Sequence, residues 1–298
     1  MTTLDCRLMC AAGTAYGIAA NTGAFTPIEP HYSAVGFKDK PTVVAGGPDK
    51  INAALVGVSD DGIIVAFRGT LSFEREKASI EDWVQDLMVM PKEVEGLPGK
   101  VHSGFYQAVK SIHDPLITAL LELRHDNPGV PIFVTGHSKG AAVASLFAIL
   151  VQGGHSGLPT PIVYAFASPK PGDRAFAEGY NALIKQTSYE NYLDIVPMLP
   201  PSKTFTRASE KVPQLSKLFE AAADWDYCPV GLRYYIKANG SVEANNSWVE
   251  DFRIGQIIKE LTQDNADAVT AAHCSGCQAE GCAGGYLTGV CNGEVCSV

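Results

Sequence analysis

The chain has 298 residues, of which 46% are hydrophobic and 18% charged, and its net charge is -9. That length and apolar content suffice for a sizeable core and exclude a disordered or fibrous chain. The acidic balance, with no run of Lys and Arg, excludes a phosphate-binding surface and with it nucleic acid as a partner.

Met1 to Cys10 places Asp5 before the first base, Arg7, and contains no apolar core segment, so it makes a poor secretory signal. A cytoplasmic protein is the expectation, with secretion of a processed form as the alternative. Leu4, Leu8, Ala11 and Ala15 share one face of a helix. Residues 53–58 and 63–67 read as short buried strands. Residues 104–124 read as one helix, with Phe105, Val109, Ile112, Leu116, Leu120 and Leu123 in phase, ended by Asn127-Pro128-Gly129. A strand at 132–135, a helix at 139–152 and a strand at 162–167 follow. The run Gly140 to Val151 is the longest apolar stretch and falls well short of the roughly 20 residues that cross a bilayer as a helix, so no transmembrane segment is expected. The alternation argues for a layered α/β fold with a largely parallel sheet. Residues 203–228 break the rhythm and read as an insertion in one domain spanning 1–298. Residues 232–237 and 240–243 form a hairpin around Ala238-Asn239-Gly240, and about 273–298 is rich in Cys and Gly.

Residues 131–142, Pro-Ile-Phe-Val-Thr-Gly-His-Ser-Lys-Gly-Ala-Ala, carry the strongest chemical signal. A β-branched run enters Gly136-His-Ser-Lys-Gly140 and a small-residue helical run leaves it, which is the setting of a nucleophile elbow. Ser138 on such a turn needs small neighbours so that strand and helix approach closely, and Gly136 and Gly140 supply them. A serine hydroxyl is a weak nucleophile at neutral pH; it needs a histidine to take its proton and a carboxylate to orient that histidine. With this elbow the chain order is Ser, Asp, His. Of seven histidines, His273 alone lies beyond the candidate acids that follow Ser138, so it is the expected base. His137 lies inside the elbow, and His31, His102, His113, His125 and His155 are expected to be structural or solvated. Asp194, in Tyr192-Leu-Asp-Ile-Val-Pro197, is the expected acid, because its apolar neighbours make a charge costly unless it has a task. Asp224, Asp226 and Asp251 are its rivals in more polar surroundings. Oxyanion donors are expected where Phe67-Arg-Gly-Thr70 ends a strand: Thr70 offers an N–H and a hydroxyl, and Lys139 the N–H that follows the nucleophile.

Six blocks in order then carry a family resemblance: Val65-Ala-Phe-Arg-Gly-Thr70, Asp82-Trp-Val-Gln-Asp-Leu87, Val101-His-Ser-Gly-Phe105, Thr135-Gly-His-Ser-Lys-Gly140, Tyr164-Ala-Phe-Ala-Ser-Pro169 with Gly172, and Asn191-Tyr-Leu-Asp-Ile-Val-Pro197. Over about 65–200 the chain resembles the class 3 lipases, the family of the fungal triacylglycerol lipases. The resemblance implies an α/β-hydrolase fold and ester hydrolysis with no cofactor and no metal. It implies Ser138, Asp194 and His273 as the triad and Thr70 with Lys139 as the oxyanion hole. Many members carry Leu where Lys139 stands. It also implies a lid at about 71–90, with Asp82, Trp83 and Asp86 in support and Asp82 or Asp86 hydrogen-bonding Thr70. The lid is charged, Glu74-Arg-Glu-Lys77, and leaves Leu71, Phe73, Ile80 and Trp83 to face lipid. Transient contact with a lipid interface is therefore expected, with a tilt toward soluble or short-to-medium-chain acyl esters. In the family the catalytic His often precedes a short Tyr-Leu block; here that block corresponds to Tyr286-Leu287, displaced by the cysteine-rich stretch.

Cys274, Cys277, Cys282, Cys291 and Cys296 crowd the C-terminal segment, with Cys6, Cys10 and Cys228 elsewhere. Disulfides stapling the loop that carries His273, tied to the N-terminal helix through Cys6 or Cys10, are the expectation in an oxidising compartment, and free thiols in the cytosol. Cys274-x-x-Cys277 beside His273 also fits a zinc site. That reading competes for the same imidazole, and its functional counterpart is a catalytically idle hydrolase-fold binding protein with a zinc- or redox-responsive tail.

Overall fold

The computed structural model describes residues 2–70, 80–154, 157–222, 224–276 and 285–292, with the backbone alone at 80–83. Helix α1 (Leu4–Thr14) opens the chain, capped by the Thr3 hydroxyl, which accepts from the Cys6 N–H at 3.3 Å. A short α2 (His31–Val35) follows. Strands β1 (Thr42–Gly46), β2 (Asn52–Val58) and β3 (Ile63–Phe67) form an antiparallel meander. Helix α3 (Ile80–Leu87), strands β4 (Pro91–Glu93) and β5 (Lys100–His102), and helices α4 (Ser103–Lys110) and α5 (His113–Asp126) lead to β6 (Ile132–His137). Helix α6 (Lys139–Gly153), β7 (Ile162–Phe166), β8 (Gly172–Asp173), α7 (Arg174–Leu183) and β9 (Gln186–Asn191) come next. The chain then runs through α8 (Lys203–Ala208), α9 (Pro213–Glu220), β10 (Tyr227–Cys228), β11 (Leu232–Ile236), β12 (Val242–Ala244), α10 (Ser247–Thr262), α11 (Ala266–Ala271) and α12 (Tyr286–Val290).

The main sheet has the order β1-β2-β3-β6-β7-β9-β11-β12. Its centre, from β3 to β11, is parallel throughout, and the antiparallel pairs lie at the two edges. Because strand side chains alternate faces, β3 sends Val65 and Phe67 into one core, under α4 to α7, and Ile64 and Ala66 into another, under α1 and α12. Helix α1 buries more than the expected stripe: Leu8, Met9, Ala11 and Ala12 are all inaccessible, as is Ala15 at its C-cap. A second, four-stranded sheet, β10-β8-β5-β4, lies apart. Among the described residues no helix is long and apolar enough to cross a membrane.

The expected strands stand within two residues of their predicted ends, and so does the helix after the elbow. Residues 104–124 differ: they form two helices, α4 and α5. Pro115 has no N–H to donate to the Ser111 carbonyl, so one helix cannot run through; the Ser111 hydroxyl instead donates to Ala108 O at 2.8 Å and Ile112 leaves the helical region at φ -131. Residues 203–228 build α8, α9 and β10, and Phe205, Leu215 and Phe219 pack with Ile254 and Ile257 of α10 in a third core that also holds Leu193 and Ile195. The hairpin at 232–244 is present as β11 and β12.

Cys6 on α1 and Cys291, at the C-cap of α12, form a disulfide over a sequence separation of 285. It ties the first helix to the last. Cys6→Ser with Cys291→Ser is expected to lower unfolding free energy by about 2–5 kcal/mol, measured as a shift in the urea midpoint of the double variant against wild type.

Candidate active site

Ser138 follows β6 directly and precedes the first residue of α6, at φ 59 and ψ -134, a region that non-glycine residues occupy at a cost of about 1–3 kcal/mol. Its N–H donates to Phe166 O at 3.0 Å, and its carbonyl accepts from Ala141 N at 2.9 Å. The two glycines of the elbow are compulsory: a Cβ on Gly136 would stand 2.3 Å from the Gly140 carbonyl carbon, and one on Gly140 would stand 2.4 Å from Phe67 O. The helix therefore begins against the end of β3.

Three elements far apart in sequence meet at this turn. The Ser138 hydroxyl lies 2.9 Å from His273 Nε2, and His273 Nδ1 lies 3.0 Å from both oxygens of Asp194. Since a carboxylate can only accept, Nδ1 carries the proton and Nε2 is left to accept from the serine. Asp194 is fully buried, Ser138 and His273 nearly so. Two further donors reach the carboxylate: Val196 N–H donates to Oδ1 at 2.9 Å, and the Tyr286 hydroxyl donates to Oδ2 at 2.6 Å. Burial, then the charge of Asp194, holds the Tyr286 phenol far above its ordinary pKa, so it remains a donor. Tyr286 in turn accepts from Asn191 N–H at 2.9 Å, at the end of β9.

The supports around this chain are polar and buried. His273 is set by the end of α11, where its N–H donates to Thr270 O, and by Asn191 Nδ2, which donates to Ala272 O at 2.9 Å. The end of β9 is fixed by Glu190. Burial pushes its carboxyl up, but Arg233 and Arg253 outweigh that and hold it below the ordinary value. After Asp194 the chain is pinned by Lys170, whose Nζ donates to Met198 O at 2.9 Å and Pro200 O at 3.0 Å. His137 packs its ring 4.8 Å from that of His273 and 5.4 Å from that of Tyr286. Burial, then the neighbouring His273, pushes its pKa well down, so it presents a neutral ring to the imidazole. Tyr16 Oη lies 2.8 Å from His137 Nδ1. The same hydroxyl abuts the loop after β3, where a Cβ on Gly69 would stand 2.0 Å from it.

Ser138, His273 and Asp194 are thus brought together. Thr70 and Lys139 are placed at the two edges of the elbow: Thr70 follows β3, and Lys139 is the first residue of α6, so its N–H is among those a helix leaves without an internal acceptor. Asp224, Asp226 and Asp251 stand outside the hydrogen bonds of His273, and Asp226 pairs with Arg174. His102 caps α4, His31 is buried and His113 pairs with Asp114; His155 lies outside the described residues. The expected lid lies mostly outside them too. Residues 71–79 and the side chains of Asp82 and Trp83 are not described, Val84 is buried in the third core, and Asp86 is exposed on α3 with no hydrogen bond to Thr70. Cys274, beside His273, is disulfide-bonded, and both ring nitrogens of His273 face Asp194 and Ser138.

Sequence reasoning missed the supporting roles of Tyr16 and His137. Tyr286 was visible only as a displaced family block. A pair such as Tyr286 and Asp194, 92 residues apart, leaves no periodic trace. Tyr286→Phe is expected to cut kcat about tenfold, and to lower stability by about 1.5–3 kcal/mol, the range for a hydrogen bond to a charged group; steady-state kinetics and urea unfolding of the variant check both.

The family model described as "Lipase (class 3)" matches residues 64–204. The chain is 32% identical over 145 residues to secreted mono- and diacylglycerol lipase A of Penicillium cyclopium, a match covering 48% of this chain and 44% of that protein. It is 33% identical over 150 residues to a lipase of Rhizomucor miehei, covering 49% and 39%. It is 33% identical over 184 residues to phospholipase A1-II 3 of Oryza sativa subsp. japonica, covering 51% and 41%. Each match spans less than half of the relative's own length. Among solved structures, the crystal structure of an MDLA mutant of Penicillium cyclopium is similar at TM-score 0.58 and 26% identity over 78% of both chains. The triacylglyceride lipase of Rhizomucor miehei is similar at TM-score 0.60 and 23% identity, over 78% of this chain and 79% of that one. The fold is the α/β-hydrolase fold of the fungal lipases.

Proposed function

We propose, from the match of residues 64–204 to the class 3 lipase family model, that this protein is a serine hydrolase cleaving carboxylic esters of acyl chains through an acyl-enzyme. The observation that carries the reading is the unbroken hydrogen-bond chain from Ser138 through His273 to a fully buried Asp194. Ser138 Oγ attacks the ester carbonyl as His273 Nε2 takes its proton. Asp194 then faces an imidazolium across Nδ1, and its charge stabilises what the transfer creates. The tetrahedral oxyanion is held by the N–H groups of Thr70 and Lys139, aided by the Thr70 hydroxyl. His273 returns its proton to the leaving alcohol, and the same imidazole activates the water that deacylates Ser138.

The relatives' names span mono- and diacylglycerol lipase, lipase and phospholipase A1, so a lipid acyl ester is the proposed substrate class. Within it, the charged run Glu74 to Lys77 favours soluble or short-to-medium-chain esters over the surface of a fat droplet. The test is hydrolysis of p-nitrophenyl esters from acetate to palmitate by wild type and Ser138→Ala, across each substrate's solubility limit. Ser138→Ala is expected to lose roughly 10³-fold or more in kcat, and the wild-type optimum to lie below the long-chain esters without a rate jump at the solubility limit. Equal activity in the two proteins would remove Ser138 as nucleophile, and a sharp interfacial jump would reverse the chain-length assignment.

A further inference from the structure

The residue after the nucleophile carries a side chain that the backbone role of Lys139 does not use. Its Nζ reaches away from the helix start to donate to Asn52 Oδ1 at 3.2 Å, and Asn52 Nδ2 donates to Ser111 Oγ at 3.0 Å. Asn52 precedes Ala53, whose carbonyl accepts the Arg68 N–H at 2.9 Å. The Lys139 ammonium is thus held beside the strand end that leads into Gly69 and Thr70. Arg68 stands there as well, buried, its guanidinium donating to Ile18 O, Lys50 O and Ile51 O. A third positive feature is the N-terminus of α6, a 15-residue helix starting at Lys139.

Two cations and a helix N-terminus converge on one loop, and among the described residues no carboxylate pairs with either cation. An arrangement of this kind is costly in the resting protein. An anion formed at the loop relieves it.

We propose that the Lys139 side chain, with Arg68, acts as an electrostatic positioning group for the oxyanion site, stabilising the negative charge that develops at the Thr70 and Lys139 N–H groups without touching substrate. The proposal rests on the hydrolase reading above. Lys139 is the group of the pair that titrates in an accessible range: burial, and secondarily the charge of Arg68, pushes its pKa down to about 8. Among the described residues Arg68 is the charged side chain that faces it; Asn52 and Ser111, from the two other elements packed on it, are neutral. The stabilisation is therefore present below about pH 8 and is lost as the pH rises through that value. Removing the charge is expected to lower kcat on the order of tenfold, the effect of a unit charge acting over about 12 Å through an effective dielectric of about 20.

The experiment measures kcat and KM from pH 6 to 10 on a soluble p-nitrophenyl ester for wild type, Lys139→Met and Lys139→Arg, with Ser138→Ala as the blank. Wild type should lose activity above about pH 8. Lys139→Met should be about tenfold slower at pH 7 with KM unchanged, and lack that alkaline fall. Lys139→Arg should recover the rate and move the fall to higher pH. Lys170 is pushed to about the same pKa by burial, so the assignment rests on the difference between wild type and Lys139→Met. Wild-type kcat with an unchanged alkaline fall in Lys139→Met overturns the proposal, as does a loss confined to KM. If Lys139→Met does not fold, the inhibition constant of an alkyl trifluoromethyl ketone on wild type and Lys139→Arg decides: a weakening through about pH 8 in wild type that moves to higher pH in Lys139→Arg supports the role, and the same profile in both overturns it. Activity surviving in Ser138→Ala sinks the hydrolase reading itself, a failure distinct from that of Lys139.

Discussion

A carboxylate with no solvent access must have every lost water replaced by a donor, and Asp194 imposes that demand on the rest of the molecule. Its donors come from His273, from Tyr286 and from the Val196 N–H. Two of the three arrive from a segment about 80–90 residues further along the chain. Much of the C-terminal architecture follows from getting them there. Helix α10 and the two antiparallel strands at the sheet edge lead the chain back over β9, α11 delivers His273, and α12 delivers Tyr286. The arginines on Glu190 and the lysine on the loop after Asp194 hold the strand end steady on either side.

A second constraint is steric and acts at the other end of the hydrogen-bond chain. The start of α6 must lie against the end of β3, closely enough that neither elbow glycine tolerates a Cβ. This brings the loop after β3 beside Ser138, and it crowds Arg68 and Lys139 together. The crowding of Arg68 and Lys139 and the strained backbone of Ser138 both accompany that one close approach.

The central strands were legible because they are apolar runs buried on both faces, as parallel strands are. β9 was not. It reads Gln-Thr-Ser-Tyr-Glu-Asn, and it is a central strand only because Gln186 bonds Ser188, Tyr180 and Ser145 while Glu190 meets two arginines. Hydropathy has no means of finding a strand whose inward residues are satisfied by partners elsewhere. The split at Ser111 was hidden for a different reason: the helical period continues in phase across it, and the information lies in one missing N–H at Pro115. The elbow was legible from local spacing, and His273 and Asp194 from chain order and from the family blocks. The groups that hold them, Tyr16, His137 and Tyr286, depend on contacts between residues as much as 121 positions apart. Long-range contacts of that kind become visible only once the chain is folded.

The Cys6–Cys291 clasp has a consequence for how the molecule comes into being. Chains emerge from synthesis N-terminus first, and early segments begin to fold before late ones exist. Here α1 is made before its covalent partner, which lies 285 residues further along, and before the proposed base and the tyrosine on Asp194. A nascent chain can assemble the sheet and the elbow, complete with Ser138, and still lack any group to draw its proton. The proposed nucleophile therefore lacks its proposed base until the segment that carries His273 and Tyr286 docks and is clasped to α1.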